Sequence, residues 1–533
     1  MRRWNGWGDD GINAALDAQT LAFLQQRIGA ARPFQDATLA QTCRGIAPSR
    51  LPAHRLIDTT AQTRLRCALG QSLPDWLQLR YGRVGAVPDG VAFPESGEQV
   101  RELLAYARGC AAAVIAYGGG TSVAGHLSAP AGAQPVLTVN LSRLTRLIEL
   151  DREAQLARFG AGVAGPDLEA QLRAQGYTLG HFPQSFEYST LGGWIATRSC
   201  GQQALRYGRI EQLFAGGTIE TPGGTLLIPT FPASAAGIDL REMVLGSEGR
   251  LGILTEASVR VTPLPEREMF DALFFPDWDR AEAAVRALVQ ARLPLSLLRL
   301  SNAAETLTML TLAGRNSLLA LLQRYLAWRG CAEGKCLLLV GASGRRAEVA
   351  GALGQARRIA RRAYAVHAGR VLGEKWKQNR FRSVYLRNAL WQNGYAVDTA
   401  ETAVDWPRVG SMMRAMEQAA SAALASQGER LHAYTHLSHL YAQGASVYST
   451  FVWRLAGDYD ADLARWRALK AAVCEAVVAK RGSISHQHGV GADHAPYLAA
   501  EKGALGIGAM RALLRHFDPQ GMMNPGKLLP PEN

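Results

Sequence analysis

Between Val114 and His126 the chain reads V-I-A-Y-G-G-G-T-S-V-A-G-H. An apolar, β-branched run closes into Gly118, Gly119 and Gly120, and Thr121 and Ser122 follow at once. Glycines let successive amides converge on an anion, and two hydroxyls add donors, so this stretch is a candidate phosphate cradle. A glycine turn after a strand is also often only a turn. Gly246-Ser247-Glu248-Gly249-Arg250-Leu251-Gly252 forms a second such run, and Leu191 to Arg206 is rich in small residues that permit either close ligand approach or tight packing. Proton-transfer chemistry has its candidates in Tyr448, in His486 and His488 of an H-x-H, and in Arg299 and Arg387, each of which could equally be structural. If the H-x-H lies on a strand, both imidazoles share a face. His432, His436 and His439 have a spacing that would suggest a metal on a helix, but their neighbours favour a strand, on which His439 leaves the face of the other two. No metal site is expected.

The chain has 533 residues and a formal charge of +13. That length calls for two or three domains with large cores. No apolar run reaches the roughly 18 to 20 residues of a membrane span. The first eight residues lack the apolar core of a secretory signal, and the last three are not a peroxisomal signal, so a cytoplasmic location is expected. Seven scattered cysteines fit a reducing compartment, and the Cys331/Cys336 pair has no second pair with which to bind zinc. Between Arg345 and Arg387 there are twelve Lys and Arg against two Glu. The A-R-R-I-A-R-R-A part reads as the solvated face of a helix with Ile359 and Ala363 inward, and it leaves room for a peripheral contact with an anionic membrane. No nucleic-acid module is recognisable, and nucleic acid is not an expected partner.

These residues need elements to position them. Residues 1–85 read as an N-terminal helical extension. A strand near Val91, a helix opened by a Ser96/Gln99 capping box and the strand Val114 to Tyr117 lead into the first glycine loop. β-rich runs follow at Val136, Leu147 and Gln155, then a helix with Pro166 in its first turn, and Ile253 to Val261 alternates as a strand exposed on one face. Pro263 and Pro265 mark a boundary. Beyond it, patterns such as Asp279 to Gln290 and Leu295 to Leu300 predict a second sheet covered by helices. The class is α+β.

Taken together, Gly118 to Ser122, F-E-Y-S-T-L-G-G-W from Phe186 and G-S-E-G-R-L-G-I-L-T-E-A from Gly246 resemble the FAD-binding flavoproteins of the vanillyl-alcohol oxidase type. Within that family, W-N-G-W-G at Trp4, Y-G-R-I-E at Tyr207, Y-L-R at Tyr385, G-A-S-V-Y at Gly444 and S-I-S-H-Q-H-G-V-G at Ser483 resemble landmarks of the alkyldihydroxyacetonephosphate synthases. The resemblance implies a two-subdomain FAD-binding fold with a helix-covered antiparallel-sheet cap: FAD-binding domain 86–265, cap 266–480, and a C-terminal segment 481–533 that returns to the flavin. It implies non-covalent FAD held by Ala116, Tyr117, Gly118, Gly119, Gly120, Thr121 and Ser122. By the same pattern Gln184, Ser185, Phe186, Glu187, Tyr188, Ser189 and Thr190 line the cofactor, as do Thr197, Arg198, Ser199 and Cys200, and Glu248, Gly249, Arg250, Leu251, Gly252, Ile253 and Leu254.

The implied reaction exchanges the acyl chain of acyl-dihydroxyacetone phosphate for a fatty alcohol, with no net redox change, through a flavin N5 adduct. Tyr448 is expected as general acid/base with its pKa lowered by nearby cations. His486 and His488 would relay protons or orient the leaving carboxylate, Arg387 would clamp the anionic headgroup, and Arg299 would support developing charge. Three departures stand out: Gln184 where the family has an aspartate, His436 at a substrate-binding position where it has an arginine, and Ala492-Asp493-His494 where it is basic. These keep open an FAD-linked D-2-hydroxy-acid dehydrogenase or oxidase, although the G-D-G-N segment of such enzymes is absent. The expected partners are a small-molecule or lipid substrate and a second copy of the chain.

Overall fold

The computed structural model describes residues 1–313 and 317–531; Glu532 and Asn533, part of the C-terminal tripeptide and segment discussed above, lie outside the described residues. The N-terminal extension carries helices Ala18–Ile28, Leu39–Arg44, Ala61–Arg66 and Leu73–Tyr81 separated by longer loops, and its short strand Ile57–Asp58 pairs with Gly90–Ala92. Two sheets follow. The first has the order Ile57–Asp58, Gly90–Ala92, Val136–Asn140, Ala113–Tyr117, with parallel pairing among the last three. The second is antiparallel: Leu147–Asp151, Leu156–Gly160, Ile253–Arg260, Phe214–Thr221, Gly224–Ile228. Helix Gly97–Gly109 starts where Ser96 Oγ accepts the Gln99 amide, but the Gln99 side chain reaches Glu95 N instead of closing the box on Ser96.

The cap is one seven-stranded antiparallel sheet, ordered Val366–His367, Arg267–Phe275, Cys336–Gly344, Leu297–Ser301, His432–Leu437, Gly444–Arg454, Tyr395–Asp405. Alternation decides what each face carries. Leu298, Leu300, Leu437, Val447 and Phe451 turn to one face and pack under helices Trp278–Gln290, Arg346–Arg362, Val409–Ala425 and Tyr459–Ala479. Burying such side chains contributes roughly 1.5 to 3 kcal/mol each and makes this the main core. Their neighbours Leu297, Arg299, His436, Tyr448 and Glu401 must then project from the other face, toward the FAD-binding domain. In helix Arg346–Arg362 the buried stripe is Val349, Ala352, Leu353, Ala356 and Ala360; Ile359 and Ala363 are only partly covered, Arg346, Arg358, Arg361 and Arg362 point out, and Arg357 instead turns to the sheet, where Nε donates to the buried Asp271 at 2.7 Å.

The last segment returns across the molecule. Met523 bridges Val114 in parallel, and Asn524 Nδ2 donates to Glu248 O at 2.8 Å, so the C-terminal chain closes over both glycine-rich loops. No helix among the described residues is long and apolar enough to cross a membrane.

Candidate active site

The register of the cap sheet assembles the titratable side chains. Ser301 lies opposite His436, His436 opposite Tyr448, and Tyr448 opposite Glu401. Directly opposed residues on antiparallel strands point to the same face about 5 Å apart. Four residues distant in sequence therefore form one row. The His436 and Tyr448 rings stack at 4.8 Å and 17°, and His488 stands edge-on to Tyr448 at 5.4 Å.

Glu401 is the anchor of the row. Its carboxylate accepts from Ser485 Oγ at 2.8 Å and from the amides of His486, Gln487 and His488 at 2.8 to 3.1 Å. Three consecutive amides on one carboxylate require a tight turn. The H-x-H is accordingly in a loop, so the strand condition for a shared face is not met and its two imidazoles diverge. His488 faces the cavity. His486 Nε2 instead accepts from Arg209 at 2.7 Å and from Tyr441 Oη at 2.6 Å, behind the cavity wall. Burial holds both imidazoles below their usual pKa.

Beneath the row lies a cavity of about 310 Å³. The glycine loop, residues 116–122, lines it, with Gln184, Ser185, Ser189, Thr190, Thr197, Ser199, Cys200, Glu248, Gly249, Gly252 and Leu254. Arg299, Arg387, His436, Tyr448 and His488 complete it from the cap side. Other expected cofactor residues stand behind the lining. Phe186 stacks on Phe381 at 4.9 Å, Tyr188 meets Trp7 edge-on at 5.5 Å, and Glu187 has a buried, unpartnered Oε2. Arg198 binds Glu242 at 2.6 Å, Arg250 holds the carbonyls of Met523 and Asn524, and Leu251 and Ile253 are core. Trp7, His126, Gln487 and Asn524 also line the cavity, although the sequence reading does not place them there. For Gln487 no local signal exists, because the turn that brings it to the cavity is set by Glu401.

The electrostatics differ from expectation at Tyr448. Burial pushes its phenol up to about 12, and Arg387 only partly opposes this. Tyr448 is therefore a neutral hydrogen-bond donor in the resting site, where the expected lowering would have made it a phenolate. Arg387 is itself pushed down to about 10 by burial; it stacks on Trp76 with its carbon 4.1 Å from the ring centroid, and Nη1 donates to the Gln71 carbonyl. Its Nη2 is buried with no partner. Arg299 is occupied: Nη2 donates to Glu305 at 2.7 Å and lies 3.1 Å from His436 Nδ1. Burial would raise Glu305, but Arg299 and His436 outweigh it and hold the carboxyl well below its usual range. Burial and Arg299 push His436 down.

The residues fit a flavin dinucleotide. The strand Ala113–Tyr117 ends in a loop whose amides at residues 119–122 donate to no acceptor among the described residues, as an anion cradle requires. Only Gly120 has positive φ, +61°. Gly119 is needed for space, because a Cβ there would run into the Tyr188 carbonyl. At the other end, Asn524 Oδ1 and Gln487 Oε1 are buried, unpartnered and set around the same cavity, so polar ring edges would satisfy them. His126 Nε2 lies 3.1 Å from Glu248 Oε1; burial disfavours its charge, but Glu248 prevails and raises it. Gly119→Ala is expected to yield protein with at least about tenfold weaker FAD binding, because the loop must move off Tyr188. Flavin-to-protein absorbance measures this, and stoichiometric yellow protein would refute it.

Fold and site together define a two-domain FAD flavoprotein of the vanillyl-alcohol oxidase type. Residues 88–228 match the family described as FAD binding domain, and residues 264–528 match FAD linked oxidases, C-terminal domain. The crystal structure of p-cresol methylhydroxylase with substrate bound shares the fold, with a TM-score of 0.68 at 13% identity over 89% of this chain and 93% of that one. A crystal structure of an alkyldihydroxyacetonephosphate synthase superposes with a TM-score of 0.85 at 25% identity over 99% of both chains. The synthase of Dictyostelium discoideum is 30% identical over 476 residues, 88% of this chain and 77% of that protein. The chain belongs to the alkyldihydroxyacetonephosphate synthase family of FAD-dependent enzymes.

Proposed function

We propose that the chain exchanges the acyl chain of acyl-dihydroxyacetone phosphate for a fatty alcohol, releasing the fatty acid. One observation carries this reading: Arg387 Nη2, a buried donor without a partner, borders the same cavity as Tyr448 and the glycine loop. Removing an arginine from water is costly unless a ligand completes its hydrogen bonds, and a phosphate oxygen does so with charge assistance. The flavin, when bound, supplies the electrophilic centre for an exchange with no net electron transfer.

The protein residues have separate tasks. Residues 119–122 would hold the pyrophosphate, with Thr121 and Ser122 at its margin. Arg387 binds the substrate anion, and its stacking on Trp76 restricts the guanidinium to one orientation. Tyr448, a neutral phenol, donates to the oxygen that gains charge at the reacting end. His488, kept neutral by burial, is placed to take or return the substrate proton. With Arg299 neutralised by Glu305 and His436 in the row, headgroup recognition falls mainly on Arg387.

The yellow protein, incubated with acyl-dihydroxyacetone phosphate and labelled hexadecanol, is expected to form labelled alkyl product and an equal amount of free fatty acid. Absence of alkyl product, together with bleaching of the flavin by a D-2-hydroxy acid, would replace this reading with an oxidoreductase.

A further inference from the structure

The first ten residues form a small hook. Arg2 and Asp9 pair as an antiparallel bridge, Arg3 N donates to Gly8 O at 2.8 Å, and the turn between them carries Trp7 inward, where it lines the cavity. The cap grips the hook at several points: Asn388 Nδ2 donates to Trp7 O at 2.8 Å, and a Cβ on Gly8, at φ +85°, would strike the Tyr385 ring. The N-terminal extension adds Arg80 Nε to Asn5 O at 2.8 Å and Arg66 Nη1 to Arg2 O at 3.0 Å.

At its base the hook touches the glycine loop. Arg2 Nη2 donates to the Gly119 carbonyl, and its guanidinium carbon lies 5.2 Å from the Tyr188 ring centroid. Among the described residues no carboxylate pairs with Arg2. In a trans peptide the C=O and the following N–H point in opposite directions, so a donor that holds Gly119 O outward turns the Gly120 amide toward the cavity. The same hydrogen bond polarises that peptide and makes the amide a better donor. An unneutralised cation behind the loop also favours an anion in front of it. Tyr188, with Arg2 at its ring and Trp7 edge-on to it, links the two contacts.

We propose that the hook is a built part of the cofactor site, with Arg2 as the positioning residue that orients the Gly120 amide and supports the bound diphosphate. The proposal rests on the FAD reading of the loop. It predicts a loss specific to the phosphate end of the cofactor, which a general role in stability would not produce.

The test measures binding to deflavinated full-length protein, FAD and riboflavin by flavin fluorescence and ADP by calorimetry, with ADP and riboflavin as separate probes of the two halves. Arg2→Ala is expected to weaken FAD and ADP by about tenfold or more, the scale of one charge-assisted hydrogen bond, and to leave riboflavin within about twofold. Arg2→Lys keeps the charge and loses the fork, so it should give an intermediate ADP affinity that falls more steeply with salt than the wild type's; it carries the test if the alanine variant does not fold. Unchanged ADP affinity in both variants, or an equal loss of ADP and riboflavin, overturns the proposal and leaves the FAD reading intact. Failure of the wild-type protein to bind FAD overturns both.

Discussion

Tyr448→Phe is expected to lower kcat by about 10²- to 10⁴-fold while leaving the flavin spectrum and FAD content unchanged, because only the phenolic hydroxyl is lost. The ring keeps its stack on His436 and its edge contact with His488, so the row retains its packing. The pH profile carries the more specific expectation. Burial sets the phenol near 12, so in the free enzyme Tyr448 stays protonated from neutral pH up to about pH 10. The profile of kcat/KM should therefore have no basic limb from Tyr448 across that range. A limb below about pH 9 that vanishes in Tyr448→Phe would show that the phenol ionises and would restore the base role that its sequence context suggested. Retained turnover in the variant would remove Tyr448 from the chemistry altogether.

Glu401→Ala should be equally damaging for a different reason. The variant leaves the amides of His486, Gln487 and His488 and the Ser485 hydroxyl without their acceptor in a buried setting. Each orphaned group costs about 1 to 3 kcal/mol, and partial hydration leaves a local loss of roughly 3 to 5 kcal/mol. Hydrogen exchange at residues 486–488 should accelerate by about a hundredfold or more, and turnover should fall because His488 and Gln487 lose their placement. Glu401→Gln keeps one acceptor oxygen and should be intermediate. Wild-type exchange protection in the alanine variant would mean that the turn is held by something other than this carboxylate.

The residues of the row show where local pattern was sufficient and where it was not. The glycine loop was legible as a cradle because its small residues and its position after an apolar strand are local properties. The strand character of His432 to Leu437 was likewise legible from its neighbours, and its pairing confirms that His432 and His436 share a face. The conformation of the H-x-H was not legible, since it is imposed by Glu401, 85 residues away along the chain from His486. The pKa direction at Tyr448 was misread. The resemblance implies nearby cations, but desolvation of the phenol, which outweighs Arg387, is a property of the packed molecule. Trp7 and Arg2 had no visible connection to the loop they adjoin.

By itself the sequence determined the α+β class, the order of the segments and the chemical types available, because propensity, turn chemistry and hydrophobic period act over a few residues. Only the tertiary structure decided which of those residues meet. Cap-sheet register brought His436, Tyr448 and Glu401 into one row, closure of the chain around the cavity pushed His436 down and Tyr448 up, and Arg299 was paired with Glu305. These outcomes depend on distance and desolvation, which sum contributions from the whole fold and have no local signature along the chain.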